Sequence, residues 1–440
     1  MDVVIAANAY CIRAHQGQTR AHGAPYHEHP QAVRHVLLAL CDACDVVPST
    51  DVQAIALLHD VIEDTDATWE TVANEFNDVV ADGVQLLSKP TLEVGNKKLR
   101  DDAYYEKLRT LVSAGDDDSV IDGDMVRLVK VADRVHNLSE LHLRDDEQKV
   151  RSYLAGTVEH VLPLALSMSD ERLRLACTAA LLESLRSAAR AGHVPDVTHG
   201  IEDPAAPTHQ SALPLGVYGI LDVNAQTDTP TLLQRAQHLL ASGVRVLQLR
   251  AKDISARATL PVADALHDAC VAHDALFVFN DRPDCAWATS AHGCHLGQTD
   301  LPPQRVRPGC APGFLLGIST HTQSQMEQAL DDDRRQPGLL DYVAVGPVFV
   351  SRTKKNHAAD VGLATLGDRS QQSHLPVVAI GGLDTPRRMA DVASVGAHMA
   401  ACISALDPSH HEGRSTSLQA RLLSVAFFAG RALRGLPRRG

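Results

Sequence analysis

Three things are missing from this sequence, and each absence excludes a class of function. No stretch of its 440 residues approaches the ~20 apolar positions that span a bilayer, and the opening MDVVIAANAY has no basic segment ahead of a long apolar run. No membrane-spanning helix and a cytoplasmic protein are expected. There is no excess of positive charge: 41 Lys and Arg against 54 Asp and Glu leave a formal charge of -13, the opposite of a nucleic-acid-binding footprint. Nor is there a paired cysteine framework. Nine cysteines are scattered from Cys11 to Cys402, which reads as reduced thiols. The close pair Cys41 and Cys44 has no second CxxC to complete a zinc site, so it reads as helix packing.

What is present suits two domains, because one core rarely grows to this length. Residues 1–190 carry apolar positions at three- and four-residue spacing, as in Val52, Ile55, Ala56 and Leu58, and read as all-α. Residues 191–213 lose that period and gather Pro, Gly, His and Thr, as a solvated connector does. From 214 to 406, eight short β-rich runs alternate with helix-length segments: VYGIL, VRVLQL, LFVFN, GCHLG, LLGIS, YVAVGPVF, PVVAIGG and HMAACIS. That is the count for a TIM (β/α)₈ barrel. Residues 407–440 turn basic and read as a frayed helix with a solvated end.

A barrel does its chemistry at the C-terminal ends of its strands. There the second strand carries Gln248, Arg250 and Lys252 on one side, by alternation. Cations aimed inward from a buried strand call for an anionic ligand. Asn280-Asp281 ends the third strand and Asp300 follows the fourth, and two carboxylates from neighbouring strands suit Mg²⁺. Ser319, the loop through Ser351, Thr353 and Lys354, and then Gly382, Ile403 and Ser404 offer hydroxyls, backbone amides and a lysine for phosphate.

In the helical half, His59-Asp60 sits within an apolar helix, with Glu63 and Asp64 a turn later. His29-Pro30 lies upstream, and KVADRVHN, with Asp133 and Asn137, lies downstream. Two His and two Asp can hold a divalent ion such as Mn²⁺ while leaving positions for water and phosphate. His15, His22, His27, His35 and His136 are candidates by type alone and read as solvated or helix-face residues.

With these residues in view, Leu213 to Leu406 resembles the thiamine-phosphate synthases, through QLRAK, FND, HLGQTD, GIST, GPVFVSRTK, VAIGG and CIS in order. The resemblance implies a transferase that joins hydroxymethylpyrimidine diphosphate to thiazole phosphate and releases diphosphate. Gln248, Arg250, Lys252, Asn280, Ser319 and Lys354 would then hold the pyrimidine diphosphate, and Asp281 and Asp300 the Mg²⁺. Ser351, Thr353, Gly382, Ile403 and Ser404 would hold the thiazole phosphate. The family usually reads Pro-Thr where this chain has Val350-Ser351, which implies looser thiazole-phosphate binding.

Residues from Val4 to Leu166 resemble the HD-type hydrolase domain of the RelA/SpoT alarmone family, through AHQGQTRAHGAPYHEHP, ALLHDVIEDT and KVADRVHNL. That resemblance implies metal ligands His29, His59, Asp60 and Asp133, with Glu63 and Asp64 orienting or activating water. Arg20 and Asn137 would contact a guanosine nucleotide losing its 3′-diphosphate. Family members usually carry Lys after that Arg, where this chain has Ala21. The expected protein is therefore a bifunctional enzyme, with a competing reading in which the helical half senses a nucleotide without turnover. Its partners are small molecules; a monomer and a homo-oligomer both stay open.

Overall fold

Capping and apolar periodicity explain the helices of the N-terminal half. In the computed structural model, which describes residues 2–90, 97–112, 121–144, 146–206, 211–224, 226–252, 254–350, 360–407 and 415–437, Asp2, Ser49, Asp122 and Asp170 cap four of them. Each side chain accepts a backbone N–H of the first turn of Val3–Ala14, Thr50–Leu58, Gly123–Ser139 or Glu171–Ala191. The stripe Val33, Val36, Leu37 and Leu40 of helix Glu28–Cys44 is fully buried, as are Ile55, Leu58, Val126 and Leu128. Helix Gly123–Ser139 packs against both Glu28–Cys44 and Glu171–Ala191, so its polar residues are brought to the end of helix Thr50–Leu58.

The chain divides into two units, Met1–Pro204 and Ala205–Pro437. The second holds eight strands: β1 (Gly216–Asp222), β2 (Val244–Arg250), β3 (Leu276–Asn280), β4 (Gly293–Leu296), β5 (Leu315–Thr320), β6 (Tyr342–Val345), β7 (Val377–Ile380) and β8 (Met399–Cys402). All neighbours are parallel, and β8 closes on β1 through Gly216↔Met399 to Gly219↔Cys402, giving the expected barrel. Alternate residues fill its interior, among them Tyr218, Ile220, Val246, Val278, Tyr342, Val378 and Met399. Gly317 makes this packing possible, since a Cβ there would lie 2.1 Å from the Tyr342 ring.

One expectation needs correction in part. The C-terminal helix is not frayed: Thr416–Ala432 is capped by Ser415 and buries Arg421, Leu422, Leu423, Phe427 and Phe428, while Arg434, Gly435 and Pro437 after it are exposed, as expected of a solvated end. It is the helix that follows β8 and completes the alternation of strand and helix, so its small and apolar residues face the rest of the barrel. The connector also packs: Val194, Thr198 and Leu213 are buried, and Arg186 donates to Thr198 Oγ1 at 3.1 Å. Most of the other described residues of the segment are exposed or half-buried, as expected of a solvated connector. No helix among the described residues is long and apolar enough to cross a membrane.

The closing helix meets helix Pro386–Ser394 at Gly430, where a Cβ would stand 2.3 Å from the Ala390 carbonyl oxygen. The neighbour is backbone and cannot swing away. Gly430→Val is therefore expected to destabilise the barrel by about 1–3 kcal/mol or more, seen as a lowered thermal midpoint. An unchanged midpoint would refute this contact.

Candidate functional site

In the helical unit, the loop before helix Glu28–Cys44 is closed by Arg20 N–H to Ala24 O at 2.8 Å and Tyr26 N–H to Gln18 O at 3.0 Å. This places Tyr26 and His29 beside the end of helix Thr50–Leu58. Four ligand atoms meet there. His29 Nε2 lies 3.5 Å from Asp60 Oδ2 and 3.3 Å from Asp133 Oδ1, and His59 Nε2 lies 3.2 Å and 3.7 Å from the same two oxygens. Both imidazoles are buried.

The histidine tautomers suit ligation. His59 Nδ1–H donates to Ala56 O at 3.0 Å, which leaves Nε2 as the lone-pair atom aimed at the carboxylates. That Nε2 is buried and has no hydrogen-bond partner. His29 Nδ1 is 2.8 Å from His136 Nδ1. Burial opposes ionisation of Asp60 and Asp133, yet His59, His29 and, for Asp133, the Lys130 ammonium at 2.9 Å hold both well below the usual carboxylate range. Burial likewise disfavours a charged His59, but Asp60 and Asp133 push it up to about 10. A cluster that draws a proton so strongly has the charge and donor set for a divalent cation.

The remaining expected residues surround it. Asn137 donates to Asp133 Oδ1 at 2.5 Å, and Arg20 donates to Asn137 Oδ1 at 2.7 Å and pairs with Glu140. The Asp64 carboxylate accepts from Tyr26, while Glu63 accepts from the Lys89 backbone at 3.0 Å. A cleft of about 540 Å³, lined by Tyr10, Arg13, Gln18, Asp64 and Thr71 among others, opens beside Asp64. His15 and His136, read as solvated or helix-face residues, are buried: His15 bonds Gln18 and stacks on Tyr26, and His136 bonds His29. Lys130 was also missed, although its i, i+3 spacing from Asp133 was a signal.

In the barrel, the strand ends converge as alternation requires. Arg250 donates to both oxygens of Asp222 at 2.7 Å, and Lys252 Nζ is 3.3 Å from Asp281 Oδ2. Asp281 has φ 62°, a left-handed conformation tolerated by Asp, and its N–H is held by His295 O at 2.8 Å. Asp300 accepts the Gly297 N–H at 2.6 Å. Burial first, and then Asp281, raise the Asp300 pKa, so these two carboxylates share one space and one negative charge too many. Such a pair fits a hard divalent cation. At the far side, a Cβ on Gly382, whose φ is 69°, would meet Phe349 and Val350 backbone oxygens at 2.8 and 2.9 Å. Asn280 ends β3 opposite His295, and Ile403 and Ser404 follow β8. Ser351, Thr353 and Lys354 lie outside the described residues.

One feature of the barrel escaped sequence reading. Gln248 Nε2 donates to Tyr218 OH at 2.9 Å; Tyr218 OH meets Tyr342 OH at 3.0 Å; His295 Nδ1 meets Tyr342 OH at 3.0 Å and its Nε2 meets Ser319 Oγ at 2.8 Å. This buried chain fixes Gln248 and Ser319, from β2 and β5, to each other.

Residues 217–406 match the family described as thiamine monophosphate synthase, and residues 7–165 match the HD domain. A thiamine-phosphate synthase of Laribacter hongkongensis is 36% identical over 43% of this chain and 86% of its own. The chain belongs to the thiamine-phosphate synthase family. A relative from Gloeobacter violaceus, also a thiamine-phosphate synthase, is 39% identical over 43% of this chain, which spans about half, 53%, of that protein. Among solved structures, a metazoan ortholog of SpoT that hydrolyzes ppGpp aligns over 41% of this chain and 94% of its own, with 22% identity and a TM-score of 0.33.

His295 yields a pH prediction. Burial disfavours its imidazolium and outweighs attraction by Asp281, lowering its pKa from 6.5 to about 4. The unfolded chain therefore binds the extra proton between these values. The stability it contributes is complete above pH 6.5 and is lost as pH falls toward 4. His398, lowered to about 4 by burial, acts in the same direction. His295→Gln is expected to lessen the loss of thermal midpoint between neutral pH and pH 5 by roughly half; an undiminished slope would contradict a neutral buried His295.

Proposed function

We propose that the barrel is a Mg²⁺-dependent thiamine-phosphate synthase and the helical unit a divalent-metal hydrolase acting on guanosine 3′,5′-bis(diphosphate). The synthase reading is carried by Asp281, 3.3 Å from the Lys252 ammonium, and by the neighbouring Asp300, whose carboxyl burial and Asp281 raise, in a chain of the thiamine-phosphate synthase family. Mg²⁺ held there would supply charge to the departing diphosphate. Gln248, Asn280 and Ser319 would orient the pyrimidine, and Arg250, Lys252 and Lys354 would bind the diphosphate. Asp222 occupies the Arg250 guanidinium until that ligand arrives. The thiazole phosphate would take the Gly382, Ile403 and Ser404 end, with Ser351 and Thr353. Chemistry then rests on leaving-group electrostatics and positioning, with no protein nucleophile.

The hydrolase reading is carried by the buried Nε2 atoms of His29 and His59 converging on Asp60 and Asp133. A divalent ion such as Mn²⁺, held by His29, His59, Asp60 and Asp133, would polarise phosphate and acidify water. Asp64, with Glu63 beside it, takes the proton of the attacking water, and Arg20 and Asn137 face the nucleotide.

Diphosphate release from guanosine 3′,5′-bis(diphosphate) with Mn²⁺, compared with His59→Ala, tests this reading. Release lost in the variant supports it; no release from a chain with an active barrel points to a nucleotide-sensing helical unit. Asp281→Ala is expected to lower thiamine-phosphate formation at least about 100-fold and spare diphosphate release from the nucleotide; loss of both would contradict independent sites. His59→Ala with Asp60→Ala should lack bound Mn²⁺ by elemental analysis, and full metal content would remove the ligand assignment.

A further inference from the structure

We propose that Tyr26 is a positioning residue of the helical unit's site, its single hydroxyl proton tying the water-activating Asp64 to the metal-binding edge formed by Asp60. This rests on the hydrolase reading above. The hydroxyl lies 2.9 Å from Asp60 Oδ2 and 2.7 Å from Asp64 Oδ2. A phenol has one O–H, and an ionised carboxylate can only accept. Two carboxylates therefore compete for one proton, and whichever one a cation engages yields it to the other. With Asp60 Oδ2 on a cation, the hydroxyl donates to Asp64 alone and fixes that carboxylate relative to the cation.

The surroundings make this hydroxyl a fixed point. The Tyr26 ring stacks on His15 with centroids 4.6 Å apart and meets His29 edge-on at 6.0 Å. His15 is bonded to Gln18 at 2.8 Å, and Gln18 donates to the Asp64 carbonyl at 2.9 Å. Asp64 N–H in turn donates to Asp60 O at 2.9 Å, so the two acids are one helical turn apart on the same side. Backbone and ring thus hold both ends, and the hydroxyl joins them.

The test uses the full chain as wild type, Tyr26→Phe, Asp64→Ala and the double variant, with Mn²⁺ binding and nucleotide hydrolysis read separately. Tyr26→Phe keeps the stacked ring and is expected to lower kcat roughly 10- to 100-fold with KM nearly unchanged. The double variant should be no slower than Asp64→Ala, because the two act as a unit. A kcat within about twofold of wild type, or additive losses, would overturn the assignment.

Mn²⁺ titration decides independently of any substrate. In Asp64→Ala the freed hydroxyl turns to Asp60 and competes with the cation, weakening Mn²⁺ binding by roughly threefold to tenfold. In the phenylalanine protein the same change should leave Mn²⁺ affinity alone. If the nucleotide is not hydrolysed by wild type, the functional reading fails by itself, and equal Mn²⁺ responses in the tyrosine and phenylalanine proteins overturn the role of Tyr26.

Discussion

Carboxylates held side by side away from bulk water demand positive charge, and both units are arranged around that demand. Asp60 and Asp133 are answered by two imidazole edges and Lys130, and Asp281 and Asp300 by Lys252. The residue types differ, but in both a carboxylate taken partly out of water stays ionised only where cations or imidazoles face it. In the helical unit the imidazoles and Lys130 hold both carboxylates well below their usual range. In the barrel, burial first and then Asp281 leave Asp300 raised.

Such strain persists only on a stiff frame. In the barrel the frame is a closed ring of eight parallel strands whose interior is filled to the point that Gly317 must lack a side chain under Tyr342. The Tyr218 and Tyr342 hydroxyls then turn a packed interior into a polar chain that reaches Ser319 and Gln248. Packing and site geometry are the same contacts seen from two ends. In the helical unit, helix Gly123–Ser139 does the corresponding work: Val126, Leu128, Val129 and Val135 are buried, and Lys130, Asp133, His136 and Asn137 lie at the cluster.

Much of this was legible in the sequence because period and alternation are local. Eight β-rich runs announced eight strands, and Gln248, Arg250 and Lys252 share a side because strands alternate. His59-Asp60 and Glu63-Asp64 could be grouped because helix spacing is regular. Partners contributed by distant segments were not legible. Tyr26 meets Asp60, His136 meets His29, and Asp222 meets Arg250 only after folding, and no spacing rule reports a contact between different elements. The C-terminal helix was read as frayed for a related reason: its exposed closing residues were legible, whereas the burial of Thr416–Ala432 depends on the closed barrel it packs against.

The two donor sets also separate the metals proposed for them. Two imidazole nitrogens with two carboxylates form a borderline-soft set that suits Mn²⁺ or its neighbours, since nitrogen ligands favour transition metals over Mg²⁺. The pair Asp281 and Asp300 offers oxygen alone and leaves most of a cation's shell to water and substrate phosphate, the arrangement Mg²⁺ prefers because it sheds water reluctantly. The two proposed sites would thus select different ions from the same medium, because selectivity lies in the ligating atoms: imidazole with carboxylate in the helical unit, and carboxylate from Asp281 and Asp300 in the barrel.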